Sequence, residues 1–238
     1  RLSFVFTHYH PNQIPITMHG WTDHLGIPAI GLNNSCDIFS YYGGSIKSEL
    51  ECDVSFIGGF WPYKSVNLKP FIFPLCQKEK NLNIKIFGNG VWPVGQYLGM
   101  LSEDNVKNLF VSSKINLNIH EPHSRKFGQD VVERPMKILG GGGFCISDHV
   151  QSLVEDYFTN DEIITAQTPQ DMEDKIHYYL NKPEERQKIA TAGQKKTLYN
   201  YTYFQQCEKI FHGIGEPDLA QQVKNKHKIT LMFLNKGE

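Results

Sequence analysis

Between Asn118 and Asp148 the chain reads NIHEPHSRKFGQDVVERPMKILGGGGFCISD, and this stretch limits most sharply what the chain can become. Two apolar runs bracket it, Ile115-Asn116-Leu117-Asn118-Ile119 and Phe144-Cys145-Ile146, each suited to a buried strand. Between them Val131, Val132, Met136 and Leu139 form the apolar face of a helix, with Glu133, Arg134 and Lys137 on its polar face. Glu133 and Lys137 lie one helical turn apart, so the two charges stack. Gly140 to Gly143 then stop the helix and leave backbone with no side chain in the way. A strand–loop–helix unit in an α/β sheet puts its loop at the carboxyl end of the strand, where such sheets bind ligands. Two readings fit these residues. One is a pocket for a phosphorylated ligand, faced by charges and approached over glycine. The other is an ordinary crossover with a glycine-rich turn and a surface ion pair.

The same alternation runs through the chain from Cys52 onward. Asp53–Ile57 and Asn83–Phe87 read as strands, and Phe158 to Ala166 contains a short one. Helices are expected over 66–80 and over 103–112, the latter with Ser102 as N-cap. Thr168-Pro169-Gln170-Asp171 opens another with a capping threonine, proline at the first position and an acid in the first turn. Two more run from Lys182 to Leu198 and from Tyr203 to Phe211. Strands alternating with helices of this length predict an α/β fold, a Rossmann-like parallel sheet with helices on both faces. A partial α/β segment precedes it. Leu2–Thr7 and Gly26–Leu32 read as strands, 16–24 as a short helix, and Asn33 to Gly44 as a loop. The expected division is a remnant over 1–50, the Rossmann-like domain over 51–213 and a tail over 214–238, to which no element is assigned.

Composition excludes several function classes. A net charge of −1 and a pI near 6.9 remove the electrostatic case for a nucleic-acid partner. The five cysteines include no close pair, which points to reduced, buried thiols rather than a metal knot. No apolar run approaches the roughly 20 residues of a membrane span, and no signal peptide is visible. A cytoplasmic protein with no transmembrane segment is expected. The first residue is Arg1 rather than methionine, which suggests a piece of a longer protein.

Three loops leave strand ends carrying glycine: Gly58-Gly59, Gly88-Asn89-Gly90, and the loop that ends at Gly128. Gly58-Gly59 with Lys64 downstream combines exposed N–H groups and a cation, as a diphosphate requires. It is neither a Walker A loop nor a GxGxxG fingerprint, and a tight turn explains the glycines equally well. His8 and His10, two apart after the first strand, suit either a shared metal or substrate, or a polar loop.

Specific segments resemble the C-terminal, donor-binding domain of GT-B glycosyltransferases. DVSFIGGFWPYK (Asp53–Lys64) is similar to its entry strand, glycine turn and phosphate lysine, and KIFGNG (Lys85–Gly90) to its second strand and turn. Tyr97-Leu98-Gly99 with Ser102–Phe110, the stretch Asn118–Asp148, and the paired helices of YYLNKPEERQKIATAGQKKTLYNYTY follow in the family's order. The nearest flavour is the group-1-like family related to spore-maturation glycosyltransferases. The resemblance covers about residues 53–211. It implies metal-independent transfer of a sugar from a nucleotide-sugar donor, which is a substrate and not a cofactor, to a glycan, protein or small-molecule acceptor. It implies donor contacts from Gly58, Gly59, Lys64, Gly88 and Asn89, from Glu121 and His123, and from Glu133, Arg134 and Lys137. His8 and His10 remain as the catalytic candidates from the acceptor side, and no metal ligands are expected. Two positions depart from the pattern: Gly59 stands where the family carries an arginine, and Lys137 where it carries the glutamate that grips the donor ribose. A non-catalytic nucleotide-sugar-binding domain and a nucleotide-sugar epimerase are the alternatives.

Overall fold

A computed structural model describes residues 4–234. Its first strands, β1 (Val5–Thr7) and β2 (Ala29–Gly31), pair in parallel as a small separate sheet. Short turns of helix lie between them, including α1 (Ile14–Thr17), in place of the single helix expected over 16–24. α2 (Ile38–Tyr41) is a one-turn helix inside the expected loop, capped by Asp37, which accepts from Phe39 N at 3.0 Å.

The main sheet alternates as its sequence predicts. β3 (Cys52–Ile57) leads into α3 (Pro62–Lys78), and β4 (Ile84–Phe87) into α4 (Glu103–Ser112). β5 (Ser113–Asn118) is followed by a short α5 (Pro122–Phe127) and by α6 (Glu133–Gly140). β6 (Cys145–Asp148) and β7 (Ile164–Ala166) complete the sheet, with α7 (Pro169–Leu180), α8 (Pro183–Asn200) and α9 (Tyr203–Gly213) after them. All five strands run parallel in the order β4-β3-β5-β6-β7.

Alternation along the strands decides what each face buries. Val54, Phe56, Ile115 and Leu117 face α3 and α7, where Leu68, Ile72, Met172 and Ile176 complete one core. The opposite face packs on α4 and α6 through Phe110, Met136, Ile138 and Leu139. That second face also buries polar groups. Ser55 Oγ donates to Asn116 Oδ1 at 2.9 Å, and Asn116 Nδ2 donates to Phe110 O at 2.9 Å, so both are satisfied.

Local signals place the helix ends. α3 starts at Pro62, four residues earlier than expected, because proline suits the first helical position; Pro70 and Pro74 lie within it. Ser102 occupies the N-cap of α4 without capping it, since its hydroxyl accepts from the Asn105 side chain at 3.0 Å instead. Thr168 does cap α7, accepting from Asp171 N at 3.1 Å. Thr168→Ala is expected to cost about 1 kcal/mol, read as a small drop in melting temperature with unchanged ligand affinity.

The tail past Gly213 contains α10 (Pro217–Leu234), an 18-residue helix laid along α9. Its buried stripe is narrow: Ala220, His227 and Leu231. A histidine in that stripe hides the period, and its partners come from other elements: His227 Nε2 lies 2.8 Å from Leu198 O and Nδ1 3.1 Å from Gln205 Nε2. Cys36, Cys52, Cys76 and Cys145 are buried free thiols, and burial pushes the Cys36 thiol up to about 12. Cys207 is an exposed free thiol.

Candidate functional site

The chain passes from β3 outward to β4 and then back across to β5 on the other side. That reversal opens a crevice beyond the carboxyl ends of β3 and β5. A cleft of 560 Å³ occupies it. Gly58 and Gly59 line it from the β3–α3 loop, Lys64 from the first turn of α3, Gly88 and Asn89 from just past β4, Glu121 from just past β5, and Glu133, Arg134 and Lys137 from α6. One concave surface thus gathers residues that the sequence spreads over eighty positions.

Arg134 stands at the centre of this cleft. Its Nε donates to Ile57 O at 2.7 Å, and its Nη1 to Asn118 Oδ1 at 2.8 Å and Ile119 O at 3.2 Å. The guanidinium lies over the Phe56 ring, 4.8 Å from its centroid. Burial pulls its pKa down, against the more distant charges of Asp148 and Glu121. Arg134 makes no ion pair among the described residues, and the atoms that accept its hydrogen bonds are carbonyl and amide oxygens. Gly58 makes the placement possible: a Cβ there would lie 2.7 Å from Arg134 Nη2.

The two cleft lysines differ from Arg134, because each already holds a carboxylate. Lys64 Nζ is 2.7 Å from Glu121 Oε1. Lys137 Nζ is 2.5 Å from Glu133 Oε2 and lies over the Tyr41 ring. Burial works against the Lys137 charge, but the Glu133 and Tyr41 hydrogen bonds outweigh it and raise its pKa. Glu133 also accepts from Tyr203 Oη at 2.8 Å, so it is a shared anchor rather than a free carboxylate. His123 lies just off the cleft, where its Nδ1 is 3.0 Å from Tyr63 Oη and its ring stacks on that tyrosine.

The glycine turns interlock. Gly58 N donates to Phe87 O at 2.9 Å, Phe60 N to Asn89 O at 2.8 Å, and Trp92 Nε1 to Gly58 O at 3.1 Å. Gly59 N–H finds no acceptor among the described residues, and the first turn of α3 adds unpaired N–H groups beside it. At the other end Met100, Leu101, Val106 and Phe110 give the cleft an apolar wall.

His8 and His10 sit at the end of β1, and neither lines the cleft. His10 Nε2 is 3.1 Å from Asp156 Oδ2, and its backbone N–H donates to Asp130 Oδ1 at 3.3 Å. Among the described residues, Glu79, Glu173 and His177 come close enough together to share a metal ion. They lie on the α3–α7 surface, where Glu173 already pairs with Lys78 at 3.2 Å.

Sequence reasoning passed over three buried residues beside Arg134. Asn118 orients its guanidinium, and His120 pairs with Asp148, Nδ1 to Oδ1, at 2.6 Å. Asp148 Oδ1 also accepts from His120 N at 2.9 Å. The signal was present: Asn116, Asn118 and His120 alternate with Leu117 and Ile119, and three polar residues at spacing two mark a polar strip on a buried strand. His120 Nε2 is buried without a hydrogen-bond partner, at a cost of about 1–3 kcal/mol if left so, whereas Asp148 Oδ2 accepts no hydrogen bond but pairs with Arg125 Nε at 3.5 Å.

The five-stranded parallel sheet flanked by helices matches the Rossmann-like domains of GT-B glycosyltransferases, and solved structures share it. HepE from Anabaena, in complex with UDP-glucose, superposes with a TM-score of 0.64 at 12% identity, over 97% of this chain and 64% of its own. T4 phage BGT, in complex with its UDP-glucose substrate, gives 0.62 at 12%, over 92% and 62%. TarM gives 0.61 at 13%, over 90% and 43%. Identities this low show the fold alone, and the chain spans less than two thirds of each of these proteins. By sequence, the chain belongs to the glycosyl transferase-like family, whose model matches residues 65–212. No curated protein matches it. Among the described residues, no helix is long and apolar enough to cross a membrane.

Proposed function

We propose that the cleft binds a nucleotide-sugar donor and that the protein transfers its sugar to an acceptor hydroxyl without a metal ion. The observation that carries this reading is Arg134, a partly buried cation with no ion-pair partner among the described residues, set between glycine turns at the sheet's switch point. A diphosphate supplies the missing anion. Gly59, at the start of the turn into α3, and Lys64 line the same cleft. The apolar wall of Met100, Leu101 and Val106 suits the planar base.

Transfer breaks the bond from the sugar's anomeric carbon to the diphosphate oxygen, forms one to the acceptor oxygen, and passes the acceptor hydroxyl's proton to the departing diphosphate oxygen. The leaving diphosphate gains charge as it departs. Preorganised N–H groups, Arg134 and Lys64 favour that change. Lys64 must first leave Glu121, which frees a carboxylate beside the donor sugar.

Lys64→Ala is expected to weaken nucleoside diphosphate binding about tenfold, the worth of one charge-assisted contact. Titration calorimetry with UDP, GDP, dTDP and CMP measures it, and unchanged affinity removes Lys64 from the site. Nucleotide release from the corresponding sugars, with and without acceptors, tests turnover. The Lys137–Glu133 pair, standing where a free ribose carboxylate is expected, favours a second reading: a domain that binds the donor without transfer. Stabilisation by donors with no nucleotide release is its signature.

A further inference from the structure

We infer that Glu103 reads the base of the nucleotide and selects guanine, so that the donor is a GDP-sugar. This rests on the donor reading of the cleft and deepens it, since it names the nucleotide.

Three carboxylates line the cleft, those of Glu103, Glu121 and Glu133. Glu121 holds Lys64 at 2.7 Å, and Glu133 holds Lys137 and Tyr203. Glu103 is exposed and makes neither a hydrogen bond nor an ion pair through its side chain among the described residues. It is the one cleft carboxylate with its charge unmet.

Its place on α4 fixes which way it faces. Glu103, Val106 and Phe110 stand at i, i+3 and i+7, on one face of the helix, and all three line the cleft. That face passes from Phe110 in the core, through partly buried Val106, to Glu103 at the mouth. A helix start favours any acid, and Asp104 shares the first turn. Asp104, however, does not line the cleft. Met100 and Leu101 precede Glu103 and complete the apolar wall. A planar base that lies flat on that wall turns its polar edge to the carboxylate set within it.

The chemistry of the edge then decides between bases. An ionised carboxylate only accepts hydrogen bonds. Guanine presents two adjacent donors, N1–H and the N2 amino group, spaced to meet both carboxylate oxygens. Uracil presents one N–H between two carbonyls, whose lone pairs face those oxygens. Adenine and cytosine each set an amino group beside a bare ring nitrogen. Glu103 therefore pairs twice with guanine and at most once with the others.

Titration calorimetry with GDP, UDP, ADP and CDP tests this on the wild-type chain and two variants. Glu103→Gln keeps the shape but removes the charge and one acceptor. Asp104→Asn makes the same change of charge one residue on, outside the cleft. Both positions are exposed, so neither substitution is expected to unfold the chain. The wild type is expected to bind GDP about tenfold more tightly than the other three, the worth of one further charge-assisted hydrogen bond. Glu103→Gln should lose about tenfold for GDP, while its affinities for UDP, ADP and CDP hold or rise. Asp104→Asn should match the wild type. A wild type that binds another of the four as tightly as GDP overturns the assignment. So does a Glu103→Gln variant that keeps the preference for GDP or loses affinity for all four alike, and so does an equal loss in Asp104→Asn. A wild type that binds none of the four instead removes the donor reading itself, and this inference with it.

Discussion

Arg134→Met is expected to weaken nucleoside diphosphate binding about a hundredfold, the largest loss at any position in the cleft. Arg134 is anchored at three oxygens, so in the proposed complex its removal deletes a pre-positioned charge rather than a mobile one. Two charge-assisted contacts at about 1.5 kcal/mol each make up that factor. Stability falls as well. Ile57 O and Asn118 Oδ1 lose their donor, at a cost of about 1–2 kcal/mol after relief of the cation's own burial. Calorimetric titration and thermal unfolding separate the two effects. A folded variant that binds like the wild type shows that Arg134 is only a strut between β3 and β5. Arg134→Lys, which keeps the charge without the fork, is expected to fall between wild type and methionine.

Gly88→Ala is expected to be the most destabilising single methyl in the site. Gly88 has φ 137°, and a Cβ there would lie 2.0 Å from Gly58 O. Both objections are to backbone, which cannot swing aside as a side chain does. The cost is about 3 kcal/mol or more, a fall in melting temperature of roughly 6–12 °C for a domain of this size. Nucleotide binding should fall with it, because Gly58 is the residue that admits Arg134. An alanine variant melting within about a degree of the wild type would show that the β3 and β4 turns can separate, and the interlocked cradle would need redrawing.

Much of the fold was readable along the chain. β3 and α4 lie where periodicity put them, and α7 begins at the threonine that looked like a cap. What was left unassigned or misplaced has both distant and local causes. α10 has a weak apolar pattern because α9 covers only a narrow stripe of it. The short strand expected within 158–166 is confined to Ile164–Ala166. α5 went unnoticed inside a polar loop, although Pro122 at its first turn and Gly128 in a left-handed conformation at its end are ordinary helix punctuation.

The cleft divides along the same line. Glycine at strand ends, Lys64 shortly after them and Arg134 on a polar helix face are local facts, so they were visible as candidates. Which of them touch is another matter. Arg134 reaches Ile57 across 77 residues, and His120 reaches Asp148 across 28, because the sheet order sets β5 between β3 and β6. Hydrophobic period and capping act over a few residues and are written in neighbouring letters. Strand order is settled by the burial of whole faces against α3, α6 and α7, and that competition alone left the lysines paired, the arginine unpaired and one histidine nitrogen without a partner.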